Sequence, residues 1–415
     1  IMPSLVGSEM CIRDSCYLNL IQESTMSYNT KEETVMMKKH VTACLTAAAV
    51  MAAPVAVSGT FTVGAAAQEA PAPTADQKPD VLGRPTVSDK QVSDEDGYFD
   101  SQRGQGVKIY YRKQKVASPR GAVVLAHGVS EHSGRYDYVA KRLLDAGYNV
   151  YRVDHRGHGK SAGGSVPMGH IDNFQYILDD FDRVVDMAKE ENQGVKTFLL
   201  GHSMGSLTVE AYGIREPGKV DGIITNGGGA PLNLSGKNVA GKNITPDDIS
   251  ETQKKLDPTI FERLPLAQLT SFNANYAQNL IPHRTEIGAQ SPEWSKDIQL
   301  SNPFTDGIST NQAVKDEYAS SPLIAQKTSA GTALQLAAIA NYDAVNADLF
   351  TAPTLIMHGT KDGIVPPYFS QDWYNSISSK DVEYVTWEGQ KHEVFNEPAA
   401  DQALDTVVDW LDRHA

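Results

Sequence analysis

The sequence predicts an α/β protein: a mostly parallel sheet with helices on both faces and an inserted helical cap. Three observations carry that prediction. Short apolar runs alternate with helix-period segments, a G-x-S-x-G pentapeptide lies between one such run and a helix, and a long stretch in the second half interrupts the alternation. Buried parallel strands read as unbroken apolar runs because both of their faces are covered, and the crossovers between them need helices.

The chain of 415 residues opens outside this pattern. Residues 1–36 show no clear amphipathic period and read as a non-native or mis-started leader. From Met37, a basic start (Lys38, Lys39), an apolar stretch over 41–57 and the run Ala65, Ala66, Ala67 form an export signal over 37–67, with cleavage after Ala67. Pro54, Ser58 and Gly59 interrupt the apolar run before it reaches a comfortable membrane-spanning length. The expected location is therefore periplasmic or extracellular. Cys11, Cys16 and Cys44 all precede the cleavage point, so the mature chain is expected to lack cysteine, which excludes a cysteine nucleophile. Residues 68–96, rich in Pro, Ala, Asp and Lys, read as a flexible lead-in that cannot repay its ordering entropy.

The expected core covers 97–230 and 349–415. Segments 97–101 and 107–112 suggest an antiparallel hairpin closed by a Gly-containing turn. Runs at 122–126, 149–153, 197–200, 222–225, 353–357 and 382–386 read as the buried strands. Helical patterns occupy 136–146, 173–191 and 204–215, the last stopped by Glu216 and Pro217, and a final helix covers 398–412. Between 231 and 348 the pattern shows no good strand over about 120 residues, against the ~12 to 15 residues usual for a structureless connection. A folded helical cap is the economical reading, with a helix start at 245–248 and a helical period over 329–342.

The pentapeptide makes Ser203 a candidate nucleophile, because a serine on a strained strand-to-helix turn can be reached by a base. A histidine base and an orienting acid should then follow in the order Ser, Asp or Glu, His. Asp362 leaves the strand at 353–357, and His392 lies in the last loop before the terminal helix, so both meet that order. Taken alone, Asp362 reads better as a turn former in Lys361-Asp362-Gly363. The candidate oxyanion donors are the N–H groups of Val129, after an early strand and next to Gly128, and of Met204.

Other signals are weaker. The run 154–159 holds an acid and two histidines but no second ligand cluster, so a tight loop is preferred to a metal site. Residues 227–229 are glycines without the ending of a phosphate loop. No cofactor and no metal are expected. With 51 acidic against 37 basic residues the formal charge is -14, which argues against nucleic-acid binding.

Five segments, LAHGVSEHSGRY at 125–136, DHRGHGKS at 154–161, GHSMG at 201–205, LIMHGTKD at 355–362 and EGQKHE at 388–393, resemble the monoacylglycerol lipase and lysophospholipase group of α/β-hydrolases. The resemblance runs from about 97 to the end of the chain and is weaker in the cap. It implies an α/β-hydrolase fold, a triad of Ser203, Asp362 and His392, and an oxyanion hole at Val129 and Met204. Ser206 departs from the glycine usual there. The implied activity is hydrolysis of carboxylic esters of single-acyl lipids, monoacylglycerol or lysophospholipid, through an acyl-enzyme, with a small lipid or ester as partner and transient membrane-surface contact through the cap. Alternatives are an aminopeptidase or prolyl-type peptidase, and a catalytically silent binding protein on the same fold.

Overall fold

The computed structural model describes residues 79–101, 103, 106–229 and 290–415. The expected leader and export signal, residues 68–78 of the lead-in, and cap residues 231–289 with the helix start at 245–248 lie outside the described residues.

The strands are β1 (Gln91–Asp100), β2 (Lys108–Val116), β3 (Gly121–Ala126), β4 (Tyr148–Val153), β5 (Lys196–His202), β6 (Gly222–Asn226), β7 (Gln299–Ser301), β8 (Lys327–Ser329), β9 (Thr354–Gly359) and β10 (Val382–Trp387). All but β7 and β8 join one sheet in the order β1-β2-β4-β3-β5-β6-β9-β10. The pairings of β2 with β1 and with β4 are antiparallel, and every pairing from β4 to β10 is parallel. The sheet is thus mostly parallel, as the apolar runs predict.

The first strand corrects the expected lead-in. It begins at Gln91, inside the segment read as flexible, and pairs with β2 along its length. Its stabilisation is polar, which hid it from an apolar pattern. Arg112 forks onto both carboxylate oxygens of Asp94 at 2.7 and 2.6 Å, the Tyr110 hydroxyl donates to Asp96 at 2.7 Å, and Lys113 pairs with Glu95 at 3.1 Å. The expectation of a strand-free cap is corrected too. β7 and β8 form a two-stranded antiparallel ladder, each strand too short to show alternation.

Helices α1 (Asp137–Asp145), α2 (Phe174–Glu191), α3 (Met204–Arg215), α6 (Tyr368–Ser376) and α7 (Ala400–His414) follow sheet strands, while α4 (Gln312–Ser320) and α5 (Ala330–Val345) belong to the insertion between β6 and β9. In α2, Asn173 caps the start by accepting from the Gln175 N–H at 2.9 Å, and the buried residues Phe174, Ile177, Leu178, Phe181, Val184, Val185 and Ala188 recur at helical spacing. Ser329 caps α5 in the same way, accepting from the Thr332 N–H at 3.1 Å. No helix among the described residues is long and apolar enough to cross a membrane.

One layer of core joins α1 and α7 to alternate sheet residues, including Val123, Leu125, Val150, Phe198, Leu200, Ile224, Leu355 and Met357. The residues between them, such as Val124, Leu199, Ile223 and Ile356, are equally buried and point to the other side. There α2 meets α3 through the edge-to-face contact of Phe181 and Tyr212, with ring centroids 5.6 Å apart. Trp410 of α7 is fully buried and meets Phe198 edge to face at 6.0 Å. Trp410→Ala is expected to lower the unfolding free energy by about 3–5 kcal/mol, read from urea denaturation at constant slope. A loss below about 1 kcal/mol would place this layer outside the cooperative core.

Candidate active site

The turn from β5 to α3 puts Ser203 at φ 54° and ψ -119°, a backbone region that non-glycine residues avoid. Such strain persists only where surroundings over-determine it. The Ser203 N–H donates to the carbonyl of Asn226 at the end of β6 at 2.9 Å, and the Ser203 carbonyl accepts from the Ser206 and Leu207 N–H groups at 2.8 and 3.2 Å. Gly205 is required by closeness: a Cβ there would lie 2.0 Å from the Ala126 carbonyl oxygen. Ser206, the departure from the family pattern, is accommodated by hydrogen bonds. Its hydroxyl lies 2.9 Å from the Gly201 carbonyl and 3.1 Å from that of Asn226, and accepts from the Asn226 N–H at 3.1 Å.

Asp362 follows β9 and His392 follows β10, and the fold brings them together: His392 Nδ1 lies 2.6 Å from Asp362 Oδ2. The other oxygen of Asp362 accepts the N–H groups of Ile364 and Val365, each at 2.9 Å. Burial acting alone would raise the Asp362 pKa, but the charge of His392 and hydrogen bonds from His358 and His392 outweigh it and hold the carboxyl well below its ordinary value. Burial likewise disfavours a charged His392, and the carboxylates of Asp362, Glu393 and Glu131 more than offset it, leaving the imidazole above its ordinary 6.5.

A second histidine, His358 at the end of β9, also reaches the Asp362 carboxylate. Its Nε2 sits 3.1 Å from Asp362 Oδ2 and 2.9 Å from the Val365 carbonyl, two acceptors, so that nitrogen carries a hydrogen.

The loop after β3 carries the candidate donor Val129. Its neighbour Gly128 donates its N–H to Glu131 Oε1 at 2.6 Å, and the same oxygen accepts from the Tyr136 hydroxyl at 2.6 Å. Burial would raise Glu131, but Arg135 and the nearby imidazoles bring its pKa down to about 2. Ser130 adopts φ 68°. The amide of Met204 opens α3, where the first N–H groups have no intrahelical partner.

Val129, Ser203 and His392 line one narrow pocket of about 10 Å³, roughly the space of a single water. Phe304, Ile308 and Tyr318 of the insertion and Ile364 of the core give it apolar walls, and Glu131, His202 and Glu393 line it as well. Beside it lies a buried charge cluster that no sequence pattern announces. Arg135 meets Glu131 at 2.6 Å, Glu393 at 2.5 Å and Glu317 of α4 at 2.9 Å. The run 154–159 forms the tight loop expected, with the carboxylate of Asp154 accepting from the Ser133 and Lys160 N–H groups at 2.7 and 2.8 Å. Among the described residues no group of three or more His, Cys, Asp or Glu is placed to hold a metal ion.

The family described as "Serine aminopeptidase, S33" matches residues 117–399. The chain belongs to that family. It is 31% identical over 311 residues to a monoacylglycerol lipase of Mycolicibacterium smegmatis, covering 74% of this chain and 94% of that protein. It is 26% identical over 302 residues to phospholipase YtpA of Bacillus subtilis, covering 72% and 98%. A monoacylglycerol lipase crystal structure from Paleococcus ferrophilus superposes with a TM-score of 0.54 at 26% identity, over 74% of this chain and 99% of that one. A soluble variant of monoglyceride lipase from Saccharomyces cerevisiae, bound to a substrate analog, shares the fold with a TM-score of 0.58 at 20% identity over 77% and 95%. This S33 family member is a hydrolase of the α/β-hydrolase fold.

The electrostatics can be read by NMR titration of the imidazoles. His392 is expected to titrate above 6.5 and to drop when Asp362→Asn removes the charge beside it. His202, pushed down by burial and by His392, is expected to titrate near 4. A His392 midpoint unmoved by Asp362→Asn would contradict the pairing.

Proposed function

We propose that the chain is a serine ester hydrolase acting on single-acyl lipids, monoacylglycerol or lysophospholipid, through an acyl-enzyme. One observation carries this reading: His392, tied through Nδ1 to Asp362, shares an apolar-walled pocket with Ser203 on its left-handed turn. In the proposed cycle His392 Nε2 takes the Ser203 Oγ proton as Oγ attacks the ester carbonyl carbon. The N–H groups of Val129 and Met204 receive the oxyanion, and the protonated His392 gives its proton to the departing alcohol oxygen. Water, deprotonated by the same nitrogen, then cleaves the acyl-serine ester and restores Ser203. No cofactor enters this scheme. The relatives named as lipases and as a phospholipase support this substrate class, and the apolar side chains of Phe304, Ile308 and Ile364 beside Ser203 accord with it. Contact of the cap with a lipid surface is the proposed route by which such a substrate arrives.

The family description favours a second reading, removal of N-terminal residues from peptides. Ser203→Ala is expected to abolish turnover of p-nitrophenyl esters, a loss on the order of 10⁴-fold or more, with an unchanged circular dichroism spectrum. Retained turnover would sink the assignment. A panel of glycerol monoesters, lysophospholipids and proline or alanine naphthylamides tests the substrate class: faster naphthylamide release would favour the peptidase.

The export signal at 37–67 leads us to propose a periplasmic or extracellular site of action. Mass spectrometry of the protein recovered from its native host should find Gln68 at the N-terminus, and a mature chain that still begins at Met37 would count against export.

A further inference from the structure

We propose that His127 is a positioning residue for the oxyanion site, locking the Gly128–Val129 peptide plane so that the Val129 N–H is held toward Ser203. This inference rests on the proposed function above, which needs that amide to receive an oxyanion.

His127 is fully buried, and its Nε2 accepts the backbone N–H of His155 at 2.9 Å. A nitrogen that accepts carries no hydrogen, so Nδ1 holds the ring hydrogen. Nδ1 lies 2.7 Å from the Gly128 carbonyl oxygen, which can only accept, and the donor is therefore Nδ1–H. The tautomer follows from the partners.

That carbonyl belongs to the same rigid unit as the Val129 N–H. In a planar trans peptide the C=O and N–H point in opposite directions, so fixing the Gly128 oxygen toward the His127 ring fixes the Val129 N–H away from it. The preceding peptide plane is fixed as well, because the Gly128 N–H is held by Glu131 Oε1 at 2.6 Å. Gly128 could otherwise turn freely, and both planes that meet at its Cα are clamped. A Cβ on Gly128 would lie 3.2 Å from Ser203 Cβ, which places the clamped unit against the nucleophile turn. Beyond it, the Ser130 carbonyl accepts the Ala325 N–H at 2.7 Å, anchoring the loop exit to the insertion.

The surroundings of His127 preserve this arrangement. His155 and His158 pack on its ring, with centroids 4.5 and 5.6 Å away. Burial first, and the neighbouring imidazoles second, hold His155 well below its ordinary value and bring His158 to about 4, so both rings stay uncharged near neutral pH. The backbone donor of His155 is fixed where β4 ends, so the tautomer is set by the sheet.

The test compares His127→Ala, His127→Asn and His127→Gln with the wild type. Each is assayed on a p-nitrophenyl ester and titrated with two ligands of the same chain length: a trifluoromethyl ketone, which forms a tetrahedral oxyanion on serine, and an amide that forms no adduct. For His127→Ala we expect kcat to fall roughly 10- to 100-fold with KM within about threefold, a matching loss of ketone affinity, and unchanged amide affinity. Asparagine places its amide nitrogen near the position of Nδ1 and is expected to recover most of the loss, whereas glutamine reaches toward Nε2 and is not. If His127→Ala fails to fold, the asparagine and glutamine variants decide. The inference is overturned if amide and ketone affinities fall together, if His127→Ala keeps kcat within about twofold, or if asparagine and glutamine behave alike. A wild type that forms no ketone adduct would remove the proposed function and this inference together, whereas normal wild-type adduct formation with an unimpaired His127→Ala overturns the inference alone.

Discussion

The first turn of α3 lies against the carboxyl end of β3 with no room for a side chain at Gly205, where a Cβ would come within 2.0 Å of the Ala126 carbonyl. Much of the site depends on that contact. It brings the nucleophile turn beside the loop that carries Val129, so that a strained serine and the residue of a candidate donor amide line one pocket. The strain at Ser203 is held by the sheet: the neighbouring strand β6 supplies the Asn226 carbonyl that accepts the Ser203 N–H, and Asn226 also engages Ser206 on the following turn. Parallel strands order their carboxyl ends side by side, so three consecutive neighbours, β3, β5 and β6, each deliver one part of this arrangement.

A second organising element is electrostatic. Arg135 binds Glu131 of the donor loop, Glu393 beside the proposed base and Glu317 of the insertion. Removing one partner from a buried group of this kind leaves charge uncompensated, so the three segments are constrained together more firmly than their apolar contacts alone would require. Burial raises the Glu317 carboxyl despite the nearby guanidinium, whereas the same guanidinium helps hold Glu131 down. The described part of the insertion is therefore attached to the core by an ion pair at the edge of the pocket as well as by packing.

The positions of Ser203, Asp362 and His392 could be proposed from the sequence because each follows a strand run and they stand in the expected order, and the fold does bring His392 to Asp362 and into one pocket with Ser203. The strands β3 to β6, β9 and β10 were legible for the same reason. The start of β1 was not, since its cross-strand partners are charged and no apolar alternation appears. Nor were the contacts of Arg135, whose partner Glu393 is 258 positions away, or the bond between Ser206 and Asn226, which restores polar satisfaction where glycine is usual. Pairings of this kind arise from topology, and local periodicity holds no trace of them. His358 was visible as a letter beside Asp362, yet its bond to the same oxygen as His392 appears only once the loop is folded.

The same carboxylates that organise the pocket also set the strength of the proposed base. Burial disfavours the imidazolium of His392, Asp362 favours it most, and Glu393 and Glu131 add to that preference. A base with raised proton affinity abstracts a proton more readily, but it is neutral in a smaller fraction of molecules at a given pH, so further acidic charge brings diminishing return. Arg135 limits the excess, because it binds both Glu131 and Glu393 and reduces the field they exert at the imidazole. Its role is thus electrostatic as well as mechanical: the buried guanidinium is the first of the charges that keep Glu131 ionised against burial, and it tempers the acidic field beside the proposed base.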